Sequence, residues 1–307
     1  MILGMGMADR RLQVFHAVAK QLSFTKAADV LFMTQPAVTF QIKQLEEHFN
    51  TRLFDRGHGK IALTPAGELV LDYAKKILGL SAEMDVRLSE MTGEIGGSLL
   101  VGASTTIAEF MLPRILGEFK SLHPKVKPRL IVANSEAIET RVSEHTLDIG
   151  LIESPSHQPD LETENCCDDE LQVICSPKFP LAKFKELSPK QLIDQPYISR
   201  EPGSGTRENT DAYLQAAGVD PDALQLVMEL GSPEALNGVV ETGLGFALVS
   251  RVAVVKAQRL GDLVAIPLKP RLVRHLSMVY PKEKFRSRLV VAFVDFASAK
   301  LKQFSLK

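Results

Sequence analysis

Three short runs near the start of the chain place their apolar residues at helical intervals. Leu12, Phe15, Val18 and Ala19 give an inner side to a helix over 10–20, and Ala27, Ala28 and Leu31 do so for a second. Val38, Ile42, Leu45 and Phe49, spaced four, three and four, form one stripe of a third. Thr25 and Thr34 stand where N-caps belong, and Pro36 falls in a first turn, where its missing N–H costs nothing. The opposite stripe carries Gln35, Thr39 and Lys43 outward. Two helices joined by a tight turn, the second with an exposed hydrogen-bonding face, predict a helix-turn-helix.

Further along, short apolar stretches flank Gly57-His58-Gly59, the pattern of a small hairpin or wing whose Arg56, His58 and Lys60 project outward. Thr64-Pro65 then opens a long helix to about Met91. In it Val70, Ala74, Ile77, Ser81, Met84, Leu88 and Met91 keep a seven-residue repeat, which predicts a two-stranded coiled coil, with a core helix packed against the same chain as the alternative. Gly93, Gly96 and Gly97 end that helix.

Beyond them the pattern changes to alternating strands and helices. Strands are predicted over 98–101, 128–132, 148–152, 171–175, 197–199, 225–229, 245–249, 263–266 and 275–279. Helices fit 106–121, 135–144, 206–217, 233–242 and 287–304. This is an α/β pattern of parallel strands and crossover helices in two units, with the chain returning to the first and a cleft between them.

Charge decides between a generic helical domain and a DNA reader. Residues 1–66 hold eight basic side chains against five acidic ones, a surplus of three on a chain whose formal net charge is −1. A basic end on a near-neutral protein is the footprint expected for phosphate contact. The 45% hydrophobic and 24% charged composition over 307 residues describes a globular protein of two or three domains. No apolar run approaches the roughly 18–20 residues a membrane span needs, and the first residues lack the basic and apolar regions of a secretory signal. The cytoplasm is the expected compartment.

Candidate chemistry is sparse. Three cysteines, with Cys166 and Cys167 adjacent, give neither a disulfide framework nor zinc spacing, and buried thiols are expected. His16, His48, His123, His145, His157 and His275 are scattered without metal spacing. No nucleophile–base pair and no G-x-G-x-x-G loop is visible, so neither catalytic residues nor a cofactor are expected.

Two strand-to-helix junctions stand out instead. Ser104-Thr105-Thr106 offers hydroxyls at a helix start, and Arg200-Glu201-Pro202-Gly203-Ser204-Gly205-Thr206-Arg207 adds arginines and glycines that permit close backbone approach. Facing each other across a cleft, they would hold a small anion such as a carboxylate, sulfate or phosphate. Glu153 complicates this, since it ends a strand at the same cleft. It is open to three placements: a pair with Arg200 or Arg207, a contact with a positive group on the ligand, or a structural ion pair turned away.

Taken in order, F-T-K-A-A-D-V-L-F-M-T-Q-P-A-V-T-F-Q-I-K-Q-L-E, L-F-D-R and L-T-P-A-G resemble the LysR-type transcriptional regulators over essentially the whole chain. The C-terminal motifs, among them Asn134-Ser135 and Ile152-Glu153-Ser154-Pro155, look most like the branch containing regulators of carbon fixation and sulfur assimilation. The resemblance implies an N-terminal all-α winged helix-turn-helix over 8–66 and a linker dimerisation helix over 67–92. It also implies a periplasmic-binding-protein-like α/β effector domain of two Rossmann-like subdomains over 94–307. Subdomain I would cover about 94–166 and 268–307, and subdomain II about 167–267.

It further implies double-stranded promoter DNA, a small anionic effector and RNA polymerase as partners. A homodimer through the linker helix, pairing into a homotetramer, and activation on effector binding are expected with it. DNA contacts fall to Thr34, Gln35, Pro36, Thr39, Gln41 and Lys43, plus Arg56 in the wing. Effector contacts fall to Ser104, Thr105, Thr106, Ser135, Glu153, Arg200, Ser204 and Thr206. Phe40 stands where many members carry a polar or basic residue. An enzyme using the α/β cleft and a repressor with a vestigial pocket are the competing readings.

Overall fold

The computed structural model describes residues 9–31, 33–55, 61–91, 95–282 and 287–304, in two units that divide between Glu94 and Ile95. In the first, helices α1 (Arg10–Gln21), α2 (Phe24–Leu31) and α3 (Gln35–Phe49) enclose Val14, Phe15, Val18, Ala27, Val38, Ile42 and Leu45. Phe54 completes this core, its ring centroid 5.3 Å from that of Phe15 and 5.8 Å from that of Phe24. Thr34 caps α3 by accepting from Ala37 N at 3.4 Å. The cap of α2 is not Thr25 but Ser23, whose Oγ accepts from Lys26 N at 3.2 Å, so the helix begins two residues earlier than the threonine suggests. Phe49 departs from its predicted stripe: it is 44% exposed, the last residue before Asn50 turns left-handed at φ 49° and stops the helix.

Strands β1 (Phe54–Asp55) and β2 (Ala62–Leu63) pair antiparallel as the base of the expected hairpin. Arg56, His58 and Lys60 lie outside the described residues. The hairpin is fixed to α3 by Glu46, whose carboxylate accepts from Leu53 N at 2.8 Å and Phe54 N at 3.3 Å. The L-T-P-A-G run earns its residue types here. Thr64 Oγ1 donates to Arg52 O (2.8 Å) and accepts from Gly67 N (3.0 Å), and a Cβ on Gly67 would meet Leu53 O at 2.1 Å. Helix α4 (Pro65–Met91) follows. Its predicted seam splits: Ala74 is fully buried in its own unit's core and Val70 packs against it, while Leu69, Tyr73, Ile77 and Leu80 form an exposed apolar stripe. The Leu88 and Met91 side chains lie outside the described residues.

The second unit is built on a nine-stranded sheet. Strands β3 (Gly97–Ser104), β4 (Val126–Ala133) and β5 (Ile149–Ile152) run parallel in the order β4-β3-β5. They carry α5 (Thr105–Phe110), α6 (Leu112–Leu122) and α7 (Ser135–Ser143). The single helix predicted over 106–121 is broken because Pro113, in the first turn of α6, has no N–H to continue the ladder.

Two long strands, β6 (Leu161–Cys175) and β11 (Leu272–Pro281), then form an antiparallel pair. Strand β6 passes the chain to a second lobe of β7 (Pro196–Arg200), β8 (Gln225–Leu230), β9 (Phe246–Ser250) and β10 (Val264–Ile266). There β7 runs parallel to β8 and β9, while β9 and β10 pair antiparallel with β6. The all-parallel pattern expected from sequence therefore holds only within each lobe's block. Helices α8 (Gly205–Ala216), α9 (Pro233–Glu241), α10 (Arg251–Leu260) and α11 (Arg288–Leu301) complete the unit. Leu99, Val101, Ile107, Phe119 and Phe293 centre the first lobe's core, with Leu171, Val173, Leu214, Phe246 and Leu248 in the second.

Candidate functional site

The outer surface of α3 begins at its N-terminus, where backbone N–H groups lack helical partners. Thr34, Gln35, Pro36 and Lys43 are exposed, and Thr39 and Gln41 are half-buried on either flank. Gln35 Nε2 donates to Thr39 Oγ1 at 3.1 Å, and that hydroxyl donates to Gln35 O at 3.0 Å, so the first two turns hold their polar groups in a fixed arrangement. Lys43 Nζ lies 3.6 Å from Glu47 Oε1 on an open surface. Such an array can present an amide to adenine and an ammonium to phosphate.

The second candidate lies between the lobes and is organised around Glu153. This residue follows β5 and is almost wholly buried. Its Oε1 accepts from Ser104 Oγ (2.5 Å) and Thr106 N (3.1 Å), both from the first lobe. Its Oε2 accepts from Thr206 Oγ1 (3.1 Å) at the start of α8 and from Arg274 Nη1 (2.6 Å) on β11. Ser135 Oγ accepts from its backbone N at 3.2 Å. Burial alone would raise the Glu153 pKa; the Arg274 charge, the Ser104 hydroxyl and more distant Arg200 outweigh it and hold the carboxyl below its usual range. Neither Arg200 nor Arg207 is its ion-pair partner. Arg274 is.

Arg274 is fully buried and shared. Its Nε donates to Asp169 Oδ2 at 2.9 Å, and Ser250 Oγ donates to Asp169 Oδ1 at 2.7 Å. Nη2 also lies 2.9 Å from Asp169 Oδ2, without a hydrogen-bonding angle. Burial works against the charged guanidinium, but Glu153 and Asp169 raise its pKa further. Sequence reasoning passed over both Arg274 and Asp169. A signal existed for the arginine: it sits two residues after Leu272 and two before Leu276, on the inward face of a strand with a period of two.

Arg200 occupies a separate position. Its Nε and Nη2 donate to Glu201 at 2.8 and 3.0 Å, and Nη2 also reaches Thr105 Oγ1 at 2.9 Å across the cleft. Arg207 turns away to Glu229 (2.6 Å) and to Arg200 O (3.2 Å). Ser204 is buried at the start of α8. The lobes touch backbone to backbone here: a Cβ on Gly205 would meet the carbonyl carbon of Glu153 at 2.8 Å, and Asn209 Nδ2 donates to both Glu153 O (2.8 Å) and Gly205 O (2.7 Å). Asn134 Nδ2 adds a bond to Pro202 O at 3.2 Å. At the same cleft, burial and the charge of Glu234 raise the Glu109 carboxyl.

The structure thus brings Ser104, Thr106, Ser135, Glu153 and Thr206 into one cluster and Thr105 with Arg200 into a neighbouring one. The cysteines belong to neither. Burial pushes Cys166 and Cys175 up to about 11 and Cys167 to about 12, which leaves them as unreactive thiols at neutral pH. Among the described residues no group of three or more His, Cys, Asp or Glu could hold a metal, and no helix is long and apolar enough to cross a membrane.

Known proteins match the chain along most of its length. A "Bacterial regulatory helix-turn-helix protein, lysR family" description fits residues 10–68, and a "LysR substrate binding domain" description fits 92–302. A "Probable RuBisCO transcriptional regulator" of Synechocystis is 34% identical over 288 residues, covering 92% of this chain and 84% of that one. The regulatory domain of Synechocystis PCC6803 CcmR, solved in complex with 2-PG, aligns with a TM-score of 0.63 at 28% identity, over 68% of this chain and all of that one. A full-length OxyR variant from Pseudomonas aeruginosa shares the fold across 95% of this chain and 93% of its own, with a TM-score of 0.67 at 19% identity.

Proposed function

The chain belongs to the LysR family of transcription regulators, with a DNA-binding helix-turn-helix and an effector-binding domain, and we propose that its effector is a small anion received at Arg200 and Thr105. The observation that carries this reading is the Glu153 cluster. Four donors drawn from both lobes already converge on one carboxylate, so this cleft is chemically an anion site, and its inner part is occupied by the protein's own side chain. An effector anion then falls to the neighbouring guanidinium of Arg200, next to the Thr105 hydroxyl. Ser104, Thr106, Ser135, Glu153, Ser204 and Thr206 set the separation of the lobes around it. The 2-PG held by the CcmR regulatory domain supports an anionic ligand of this size.

In this reading Thr34, Gln35, Pro36, Thr39, Gln41 and Lys43, with Arg56, contact promoter DNA. The exposed stripe Leu69, Tyr73, Ile77 and Leu80 on α4 is covered by a second copy of the chain, and two such dimers pair into a tetramer. The effector changes how the dimers pack and how they meet RNA polymerase in the cytoplasm, activating transcription through its differential affinity for the two arrangements. No catalytic role is assigned to the cleft.

A second reading is a repressor whose pocket is vestigial, favoured by the fact that Glu153 already takes the donors of Ser104, Thr106 and Thr206. Thermal unfolding of the full chain with 2-PG, sulfate and ribulose bisphosphate separates the two. A ligand at a hundred times its Kd stabilises by about 2.7 kcal/mol. The effector reading expects a shift with one anion that Arg200→Ala and Thr105→Val abolish while operator binding persists. A shift that survives both substitutions removes these residues from the site, and no shift with any anion favours the repressor.

A further inference from the structure

One of the residues that stand outward on α3 is aromatic. Phe40 follows Val38 by two positions and precedes Ile42 by two, and both are fully buried, so at roughly 100° per residue its side chain emerges about opposite the core. It is 57% exposed. Pro36 lies one turn before it and Lys43 one turn after, both exposed on the same side. On the flank, Gln35 Nε2 donates to the Thr39 hydroxyl at 3.1 Å and that hydroxyl donates to Gln35 O at 3.0 Å. An exposed phenyl ring therefore stands among the polar groups of this face.

We propose that Phe40 reads the C5-methyl group of a thymine in the major groove and so sets base preference at one step of each half-site. This rests on α3 being the helix that enters the groove. A recognition helix contacts base edges with its N-terminal half, and Phe40 is the sixth of its fifteen residues. A phenyl ring offers no hydrogen bond to a base edge, and the one apolar feature that the major groove displays is the thymine methyl. Lys43, one turn on, is placed to hold the backbone beside it. A phenylalanine so exposed contributes nothing to the unit's core, and burying it against a methyl removes apolar surface of both partners from water.

The test selects binding sites from a random duplex pool with the full-length chain, then replaces single thymines of the selected site by deoxyuridine, which deletes only the methyl. Each single replacement should weaken wild-type binding about fourfold, the equivalent of about 0.8 kcal/mol per methyl at 1.4 kcal/mol per decade. The F40A variant should bind the selected site less tightly and lose the difference between thymine and deoxyuridine. F40L should retain part of it. The proposal is overturned if no thymine replacement affects the wild type, or if F40A loses affinity equally on both DNAs. It is also overturned if F40A binds DNA as the wild type does yet no longer activates transcription, which would give the ring to a protein partner. Failure to enrich any sequence would remove DNA reading by α3 and this proposal together.

Discussion

The two units of the chain solve burial differently. Among the described residues, every buried polar or charged side chain lies in the second unit, from Ser104 to Ser298. The buried core of the first is apolar throughout, and its polar residues cap helices, tie the hairpin down through Glu46 and Thr64, or stand outward. A unit that must present one rigid surface gains from a core without alternatives, because close packing admits one arrangement. A unit that must answer a ligand places charges between its lobes, where partners can be exchanged. The teaching is that stability in the first unit scales with apolar area, and in the second with whether each buried charge keeps its partner.

The largest expected effect comes from removing the shared guanidinium. Arg274→Ala leaves Glu153 and Asp169 buried without their cation and should lower stability by about 3–5 kcal/mol, read by thermal or urea unfolding. A loss below about 1 kcal/mol would mean that the charges relax into solvent, and the contrast would fail. Gly67→Ala probes the apolar unit: the added methyl collides with Leu53 O, so about 1–3 kcal/mol should be lost. An unchanged Tm would show that the turn yields.

A pH series sharpens the contrast further. Because the Glu153 pKa is lowered on folding, its contribution is fully present above the unfolded value of about 4.3 and is lost as pH falls through the folded value. Acidification below pH 4 should destabilise the wild type more steeply than Glu153→Gln; parallel curves would deny the carboxylate this role. The smallest effects are on the surface. Thr34→Ala should cost about 1 kcal/mol through the lost cap. Lys43→Ala should reduce the salt slope of DNA binding by about one while leaving stability unchanged. A slope equal to the wild type's would place the ammonium away from phosphate.

Much of this was legible in the residues, because helical stripes and caps are local signals. The stripe of α3, the cap at Thr34 and all nine strands of the second unit were marked along the chain. What escaped was either overridden or long-range. Helix α10 follows β9 without a break, so F-A-L-V-S-R-V-A-V-V reads as one apolar run, although Ser250 caps the turn by accepting from Val252 N at 3.3 Å. The first ten residues of β6, L-E-T-E-N-C-C-D-D-E, lack strand alternation and become a strand because β11 supplies the ladder. In the site, both junctions were visible as hydroxyl- and glycine-rich motifs. Their true focus was not, because Glu153 and Arg274 meet from 121 positions apart.

The single amide nitrogen of Asn209 spans two carbonyls, Gly205 O within its own helix and Glu153 O of the other lobe. Hydrogen bonds fade within a few tenths of an ångström beyond about 3.2 Å. Gly205 permits no closer approach than backbone contact, so separation at this seam is bounded on one side by collision and on the other by a lost bond. Parting the lobes at this seam by more than those few tenths of an ångström therefore costs the Asn209 bond to Glu153 O.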